Sequence, residues 1–209
     1  EACGEHLVFL DAHCLPGANW LDHLAGALAP RDAGVAGPAF TQLGQTSPRG
    51  CGMFWPDEAL DPCWFEPRED ARGAYDVPLT TGACQAFRRD VFAALGGYDA
   101  GFTSWGYEDV EICLRAWRRG WRVRVEPRAV VAHWFREARG YEVDEAEVLA
   151  NLVRMACLHL PELRRERALA HYRAHPRFAE AWLRGACAPD EAGRDAEWFF
   201  RALNPWTPA

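Results

Sequence analysis

Residues 80–123, TTGACQAFRRDVFAALGGYDAGFTSWGYEDVEICLRAWRRGWRV, are the stretch of sequence that decides the fold. Its start has strand character, and a helix is expected from Arg89 to Leu95, where two glycines end it. A second helix is expected to begin at Glu108, because apolar residues follow it at helical spacing and form one stripe: Val110, Cys113, Leu114, Trp117 and Trp121. Together with an alternating strand pattern at 122–126, this order of elements predicts an α/β domain.

The chain on either side of this stretch continues the α/β pattern. The further elements are a strand buried on both faces at Leu7–Leu10, a helix from Asn19 as its N-cap to about Leu28, a strand at 34–40 and a strand at 130–132. The strands are short and mostly apolar, which is typical of a sheet covered by helices.

Residues 41–76 interrupt this pattern with a long segment rich in Gly and Pro. Loops of this length in compact domains are usually functional or mobile. The aromatic residues Trp55, Trp64 and Phe65 favour a binding loop, and a surface excursion with two buried tryptophans explains them equally well. Both interpretations stay open from the sequence.

The last third of the chain has a different character, because its pattern is helical throughout from Tyr141. We place a domain boundary near Arg139–Gly140. The sequence thus predicts an α/β domain over 1–139 and a helical C-terminal extension over 140–209.

Composition excludes several classes of protein. The chain has 209 residues and a net charge of −7, so it is a poor candidate for binding nucleic-acid phosphates. It contains no window of about 18 apolar residues, so no transmembrane segment is expected, and no signal peptide is recognised. Its 8 cysteines lack metal-finger spacing and favour a reducing, cytoplasmic location. All 23 basic residues are Arg, which indicates a GC-rich genome and a bacterial source.

Asp11 and His13 follow the first strand, at the end of the strand where open α/β sheets bind ligands. Side chains two residues apart on extended chain point the same way. A carboxylate and an imidazole suit Mn²⁺, and suit Mg²⁺ less well. The alternative role for Asp11 is to cap the turn that follows the strand. His133 follows a later apolar strand and is either a third metal ligand or a buried structural histidine.

The helix that begins at Glu108 carries charged residues in two places. Glu108 and Asp109 either complement the helix dipole or place a general base beside Trp105, an aromatic ring suited to stacking on a sugar. Glu111 and Arg115 stand four residues apart, and we expect them to pair on the outer side of the helix.

Three segments taken together resemble the GT-A glycosyltransferases. The metal-binding segment of that fold is similar to FLDAHCLPGANWLDHL (9–24). The second half of its catalytic domain is similar to residues 80–123. The segment with its late histidine ligand is similar to VAHWFR (131–136). The similar groups are the family 2 glycosyltransferases, the chondroitin-polymerase-type transferases and the polypeptide N-acetylgalactosaminyltransferases, the last of which share the Asp-x-His form. The resemblance covers roughly residues 5 to 136.

The resemblance implies a function and a set of roles. The protein would be a metal-dependent glycosyltransferase that moves a sugar from a nucleotide sugar, of the UDP type, to a hydroxyl of a glycan, peptide or small-molecule acceptor. Asp11, His13 and His133 would hold Mn²⁺ or Mg²⁺, and Asp109 would be the catalytic base beside Glu108. The implied donor- and acceptor-binding residues are Gly82, Ala83, Trp105, Gly106 and Arg136.

The sequence departs from that family in two respects. The retaining mucin-type enzymes have Glu-Asn where this chain has Glu108-Asp109, so a base is available and inversion is favoured. The first strands and the nucleotide-base pocket of the family, about a hundred residues by the resemblance, have no counterpart here, so we expect a fold that lacks its N-terminal half. A catalytically inactive glycan-binding fragment and, less favoured, a metallohydrolase are the alternatives.

Overall fold

The computed structural model describes residues 2–135, 142–204 and 206. Its strands are β1 (His6–Leu10), β2 (Cys14–Pro16), β3 (Ala33–Gln42), β4 (Pro48–Gly50), β5 (Met53–Phe54), β6 (Cys63–Trp64), β7 (Tyr75–Asp76), β8 (Cys84–Arg88) and β9 (Arg122–His133). Its helices are α1 (Trp20–Leu28), α2 (Arg89–Leu95), α3 (Glu108–Arg118), α4 (Glu145–His159), α5 (Glu162–Tyr172), α6 (Phe178–Gly185) and α7 (Ala196–Ala202). The α/β order predicted from the sequence is therefore present, and the predicted boundary at 139–140 lies outside the described residues.

Over the described ranges, a seven-stranded mixed sheet organises the fold, and β5 and β6 form a separate two-stranded sheet. The strands of the larger sheet lie in the order β1-β8-β3-β9-β2, with β4 added beside β3 and β7 beside β9. The long central pair β3–β9 is parallel and runs in register from Ala33 opposite Arg122 to Gln42 opposite His133, with two irregularities. The strands expected separately at 122–126 and 130–132 are thus one continuous strand.

Helices cover both faces of the sheet. Neighbouring residues of β3 belong to different hydrophobic clusters, Val35 to one and Ala36 to the other, because alternate side chains of a strand point to opposite faces. On one face α1 packs through Leu24 and Leu28. On the other face lie α2, α3 and the C-terminal helices, which share one core with the sheet. The helical extension therefore packs directly on the α/β region.

Strand β1 differs from the expectation of a strand buried on both faces. Among the described residues it pairs only with β8, so it is an edge strand. Its side chains Phe9 and Leu10 remain 37% and 39% exposed. An apolar run predicts burial, but it does not show whether the neighbours that would bury it lie within the sequence.

The segment 41–76 contains four short strands, and its two tryptophans have different environments. Trp55 is fully buried and stacks on Phe200 of α7, while Asn204 bonds both its backbone N–H and its backbone carbonyl at 2.8 Å. Trp64 is partly buried and packs against Phe40 and Phe135. Trp55 therefore anchors the C-terminal helix, and of the two explanations left open, burial is the correct one for this residue.

Glu111 and Arg115 form the predicted pair, at 2.8 Å, but the expected exposure is wrong because both are buried. His159 of α4 explains the difference, since its Nε2 lies 2.6 Å from the second carboxylate oxygen of Glu111. Arg118 donates to Nδ1 of the same ring at 2.8 Å. A guanidinium can only donate, so Nε2 carries the proton that is donated to Glu111. This buried network joins α3 to α4.

We expect Glu111→Gln to lower the free energy of unfolding by about 2–3 kcal/mol, because it leaves the buried guanidinium of Arg115 without its anion. Urea unfolding followed by circular dichroism measures the change. Glu147→Gln on α4 is the matched control, since that carboxylate is 39% exposed and we expect a change within about 0.5 kcal/mol. Equal effects of the two substitutions would show that the buried network does not stabilise the fold.

Two further observations concern the cysteines and the length of the helices. All eight cysteines are free thiols, and Cys51 is buried while Cys63 is exposed. In the part of the chain that the structure describes, no helix is long and apolar enough to cross a membrane.

Candidate functional site

The segment after β1 brings the predicted metal ligands together. Residues 11–13 lead from the end of β1, where Leu10 pairs with Cys84, to β2, where Cys14 pairs with His133. The carbonyl of His13 also accepts the backbone N–H of Trp134 at 3.2 Å. The end of β9 therefore lies beside the Asp-x-His turn.

Asp11, His13 and His133 converge on one point, as the sequence predicts. Each offers one ligand atom, and these atoms lie within 4.8 Å of one another. Asp11 Oδ2 is 3.8 Å from His13 Nε2 and 3.4 Å from His133 Nε2. The side chains are 45%, 37% and 12% exposed in the order of the chain, so the cluster opens to solvent from one side.

The donor set fits a borderline divalent cation. Two imidazole nitrogens and one carboxylate oxygen suit Mn²⁺. Within the described residues His133 Nδ1 is buried without a hydrogen-bond partner, so this ring makes its polar contact through Nε2, which faces Asp11. A hydrogen bond from His133 lowers the pKa of the Asp11 carboxyl, and the charges of both histidines lower it further against the effect of burial. The carboxylate is thus ionised at neutral pH, which a metal ligand requires.

Asp109 lies in the first turn of α3, and its carboxylate is held by backbone donors. Gly82 donates its N–H to Oδ2 at 2.6 Å, and Val110 donates to Oδ1 at 2.8 Å. Burial, followed by the charge of Glu108, raises the pKa of Asp109 to about 6, although the two backbone donors oppose the rise. The sequence interpretation did not include this burial. The carboxylate is therefore still largely ionised at pH 7 and has the pKa of a useful general base.

The turn Gly82–Ala83 connects Asp109 to the metal-ligand cluster. While Gly82 bonds Asp109, the carbonyl of Ala83 accepts the backbone N–H of Asp11 at 3.0 Å. A Cβ added at Gly82 would lie 3.1 Å from the Cβ of Asp109 and 3.3 Å from its Oδ2. Gly82, which the resemblance assigns to donor or acceptor binding, is thus also needed for the close approach of Asp109.

Gln85 is a site-forming residue that the sequence interpretation missed. It is fully buried, and its Nε2 lies 3.0 Å from the backbone carbonyl of Asp109 and 3.1 Å from that of Thr80. Its Oε1 accepts the hydroxyl of Tyr98 at 2.8 Å. A polar residue within the apolar strand β8 was the available signal, because a buried amide requires partners.

The loop before α3 places the remaining predicted residues. Glu108 turns back and accepts the N–H of Gly106 at 2.8 Å, so its carboxylate closes the loop that carries Trp105. Trp105 is 47% exposed, and Gly106 has a positive φ of 110°. Arg136, predicted near the diphosphate, lies outside the described residues.

Comparison with known proteins finds glycosyltransferases of similar sequence and fold. A protein-family profile described as the N-terminal domain of galactosyltransferase matches residues 68–135. Probable N-acetylgalactosaminyltransferase 8 of Caenorhabditis elegans is 29% identical over 224 residues, which cover 98% of this chain and 52% of the relative. Human polypeptide N-acetylgalactosaminyltransferase 12 is 28% identical over 98% of this chain and 37% of its own length. A crystal structure of GalNAc-T7 with UDP, GalNAc and Mn²⁺ matches at a TM-score of 0.74 and 22% identity, over 97% of this chain and 41% of that one.

These similarities refine the earlier expectations. The chain spans about half, or less, of the length of these curated relatives, which agrees with a partial domain. The similar proteins are animal N-acetylgalactosaminyltransferases of family 27, so the comparisons do not support a family 2 assignment or a bacterial source. The fold is that of a GT-A glycosyltransferase, and the chain is similar in sequence to the polypeptide N-acetylgalactosaminyltransferases.

Proposed function

We propose that this chain is the metal- and acceptor-binding part of a glycosyltransferase that uses UDP-N-acetylgalactosamine, Mn²⁺ and a peptide hydroxyl. The convergence of Asp11, His13 and His133 beside the turn that holds Asp109 carries this proposal. A metal-ligand cluster joined to a partly buried carboxylate suits the transfer of a sugar from a diphosphate. The donor, cation and acceptor follow from the similar proteins, whose names and bound ligands include them.

The chain's own residues account for deprotonation of the acceptor. The acceptor hydroxyl binds with its proton toward Asp109, whose carboxylate is oriented by the N–H groups of Gly82 and Val110. As the hydroxyl oxygen attacks the anomeric carbon, the proton moves to Asp109. A pKa near 6 keeps the carboxylate ionised at neutral pH and makes it more basic than an exposed Asp. Such a positioned base contributes about 10²–10⁴-fold to the rate.

Asp11, His13 and His133 would hold the cation against the diphosphate of the donor. When bound, Mn²⁺ supplies electrostatic stabilisation of the negative charge that develops on the leaving diphosphate. The three side chains would bind and orient the ion, and Asp11 would supply the one negative charge of the set.

We favour inversion of the anomeric configuration because of Asp109. The polypeptide N-acetylgalactosaminyltransferases retain the configuration. The resemblance places Asn at the position of Asp109 in those enzymes, and an amide cannot accept the proton that direct displacement releases. A carboxylate held at this position supports a single displacement by the acceptor.

Calorimetric titration of UDP with and without Mn²⁺ tests the function. Affinity for UDP that depends on Mn²⁺ supports sugar transfer. Metal binding that is indifferent to UDP would instead favour the metallohydrolase alternative. Nucleotide-dependent metal binding without any turnover of UDP-N-acetylgalactosamine by the full-length protein would favour a glycan-binding fragment that does no chemistry.

We expect residues 1–209 by themselves to be a weak catalyst. The chain spans 52% or less of its similar relatives, and the edge strand β1 exposes Phe9 and Leu10 where a further strand could pair. UDP release assayed with residues 1–209, and with the full-length protein, measures the difference. Comparable turnover by the two polypeptides would contradict this expectation.

A further inference from the structure

Helix α4 contacts the Trp105 loop, residues 96–107 between α2 and α3, through one buried side chain. Asn151 is 2% exposed, and its Nδ2 donates to the carbonyls of Ser104 and Gly106, both at 2.9 Å. These carbonyls belong to the two neighbours of Trp105 in the chain. Because an amide nitrogen has two hydrogens, this single group satisfies both carbonyls and fixes the backbone on either side of the tryptophan.

The same loop is connected to Glu108 but is held separately from Asp109. Glu108 accepts the N–H of Gly106, so the position of its carboxylate depends on the part of the loop that Asn151 holds. Asp109 is held by Gly82 and by Gln85, and within the described residues Asn151 donates to Ser104 and Gly106 instead. Loosening the loop therefore displaces Trp105 and Glu108 more than it displaces Asp109.

A second side chain of α4 fixes the start of the loop. Arg154 makes a paired contact with Asp99, with Nε 2.9 Å from Oδ2 and Nη2 3.0 Å from Oδ1. A Cβ added at Gly101 would lie 2.2 Å from the Arg154 guanidinium, so the backbone passes directly against this group. Asn151 and Arg154 are three residues apart and thus lie on the same side of α4.

We propose that Asn151 is a positioning residue, which holds the Trp105 loop in the conformation that binds the acceptor. This inference rests on the proposed function for the identity of the acceptor, and on the structure alone for the anchoring of the loop. It assigns to the helical extension a direct part in forming the site. The signal in the sequence was an Asn within the apolar positions of α4, between Leu149 and Leu152.

Asn151→Asp tests the anchoring, because it keeps the shape and replaces both donors with an anion that repels the two carbonyls. Amide hydrogen exchange in residues 102–107, measured by mass spectrometry, should become faster by on the order of tenfold. Asn204→Asp is the matched control, since Asn204 is also 2% exposed and bonds a backbone on both sides, at Trp55. Exchange in 102–107 should stay unchanged in that variant.

Acceptor kinetics of the full-length protein separate positioning from general destabilisation. Asn151→Asp should raise KM for the acceptor by on the order of tenfold with kcat within about twofold, while Asn204→Asp alters neither. If Asn151→Asp does not fold, the same measurements are made on Asn151→Ala, which removes the donors without adding charge. Unchanged exchange, or a fall in kcat at unchanged KM, would overturn the proposal. An inactive wild-type protein would overturn the proposed function, and the exchange data would then decide the anchoring alone.

Discussion

Asp109→Asn should lower turnover of the full-length protein by about 10²–10⁴-fold, the contribution of a positioned general base. The amide keeps the shape of the carboxylate, and its oxygen still accepts the N–H of Gly82. Metal-dependent binding of UDP should therefore be nearly unchanged, which calorimetry measures beside the steady-state rate. Asp22→Asn is the matched control, because Asp22 is an exposed carboxylate in the first turn of α1.

The pH profile of turnover gives an independent measurement of the same group. Burial raises the pKa of Asp109 to about 6, and a base acts in its ionised form. Turnover should therefore rise with pH through about 6 and reach a plateau above about 7, with roughly a tenth of the plateau at pH 5. Asp109→Asn should abolish this dependence. The assignment of the base is wrong if Asp109→Asn keeps near-normal turnover while Glu108→Gln abolishes it, and nuclear magnetic resonance should then show retention in the product.

The local pattern of the sequence predicts the elements around the site because their signals lie within a few residues. The expected helix at 89–95 ends at Gly96, whose φ of 83° is the left-handed conformation predicted for it. The helix beginning at Glu108 runs to Arg118, so Trp121 of the expected apolar stripe lies beyond its end. Asp11 and His13 could be placed at a sheet edge, since a turn directly follows an apolar strand. Their convergence with His133 needed the order of the strands, which the resemblance supplied.

Features that depend on residues far apart in the sequence could not be predicted from local patterns. The pattern around Glu111 is that of an exposed ion pair, and only His159, 48 residues later, makes it a buried network. The same limit applies to Asn151, whose partners are carbonyls 45 and 47 residues earlier. A backbone carbonyl has no sequence signature, so a buried amide that binds one is visible only as a polar residue in an apolar stripe. The burial that raises the pKa of Asp109 likewise depends on a distant partner, because the carboxylate packs against Gly82, 27 residues earlier in the chain.

Loss of one metal ligand has the second large expected effect. His133→Ala should weaken Mn²⁺ binding by more than about 100-fold, since even partners that only support a ligand contribute about 10–100-fold. His133 is the least exposed of the three ligand residues, and the remaining Asp11 and His13 would leave the ion held from one side only. Titration of Mn²⁺ followed by calorimetry or by the electron paramagnetic resonance of the free ion measures the affinity.

The exposed His171 on α5 provides the matched control for this loss of Mn²⁺ affinity, because His171→Ala removes an imidazole that lies outside the cluster. Asp11→Asn provides the second test, since it removes the one negative charge of the set and retains its volume. This substitution should weaken Mn²⁺ binding and, with it, the Mn²⁺-dependent part of UDP affinity, because the cation is the proposed link between the chain and the diphosphate. Unfolding curves of each variant separate lost binding from lost structure. Folded His133→Ala and Asp11→Asn variants that bind Mn²⁺ as tightly as the wild-type chain would exclude this cluster as the metal site.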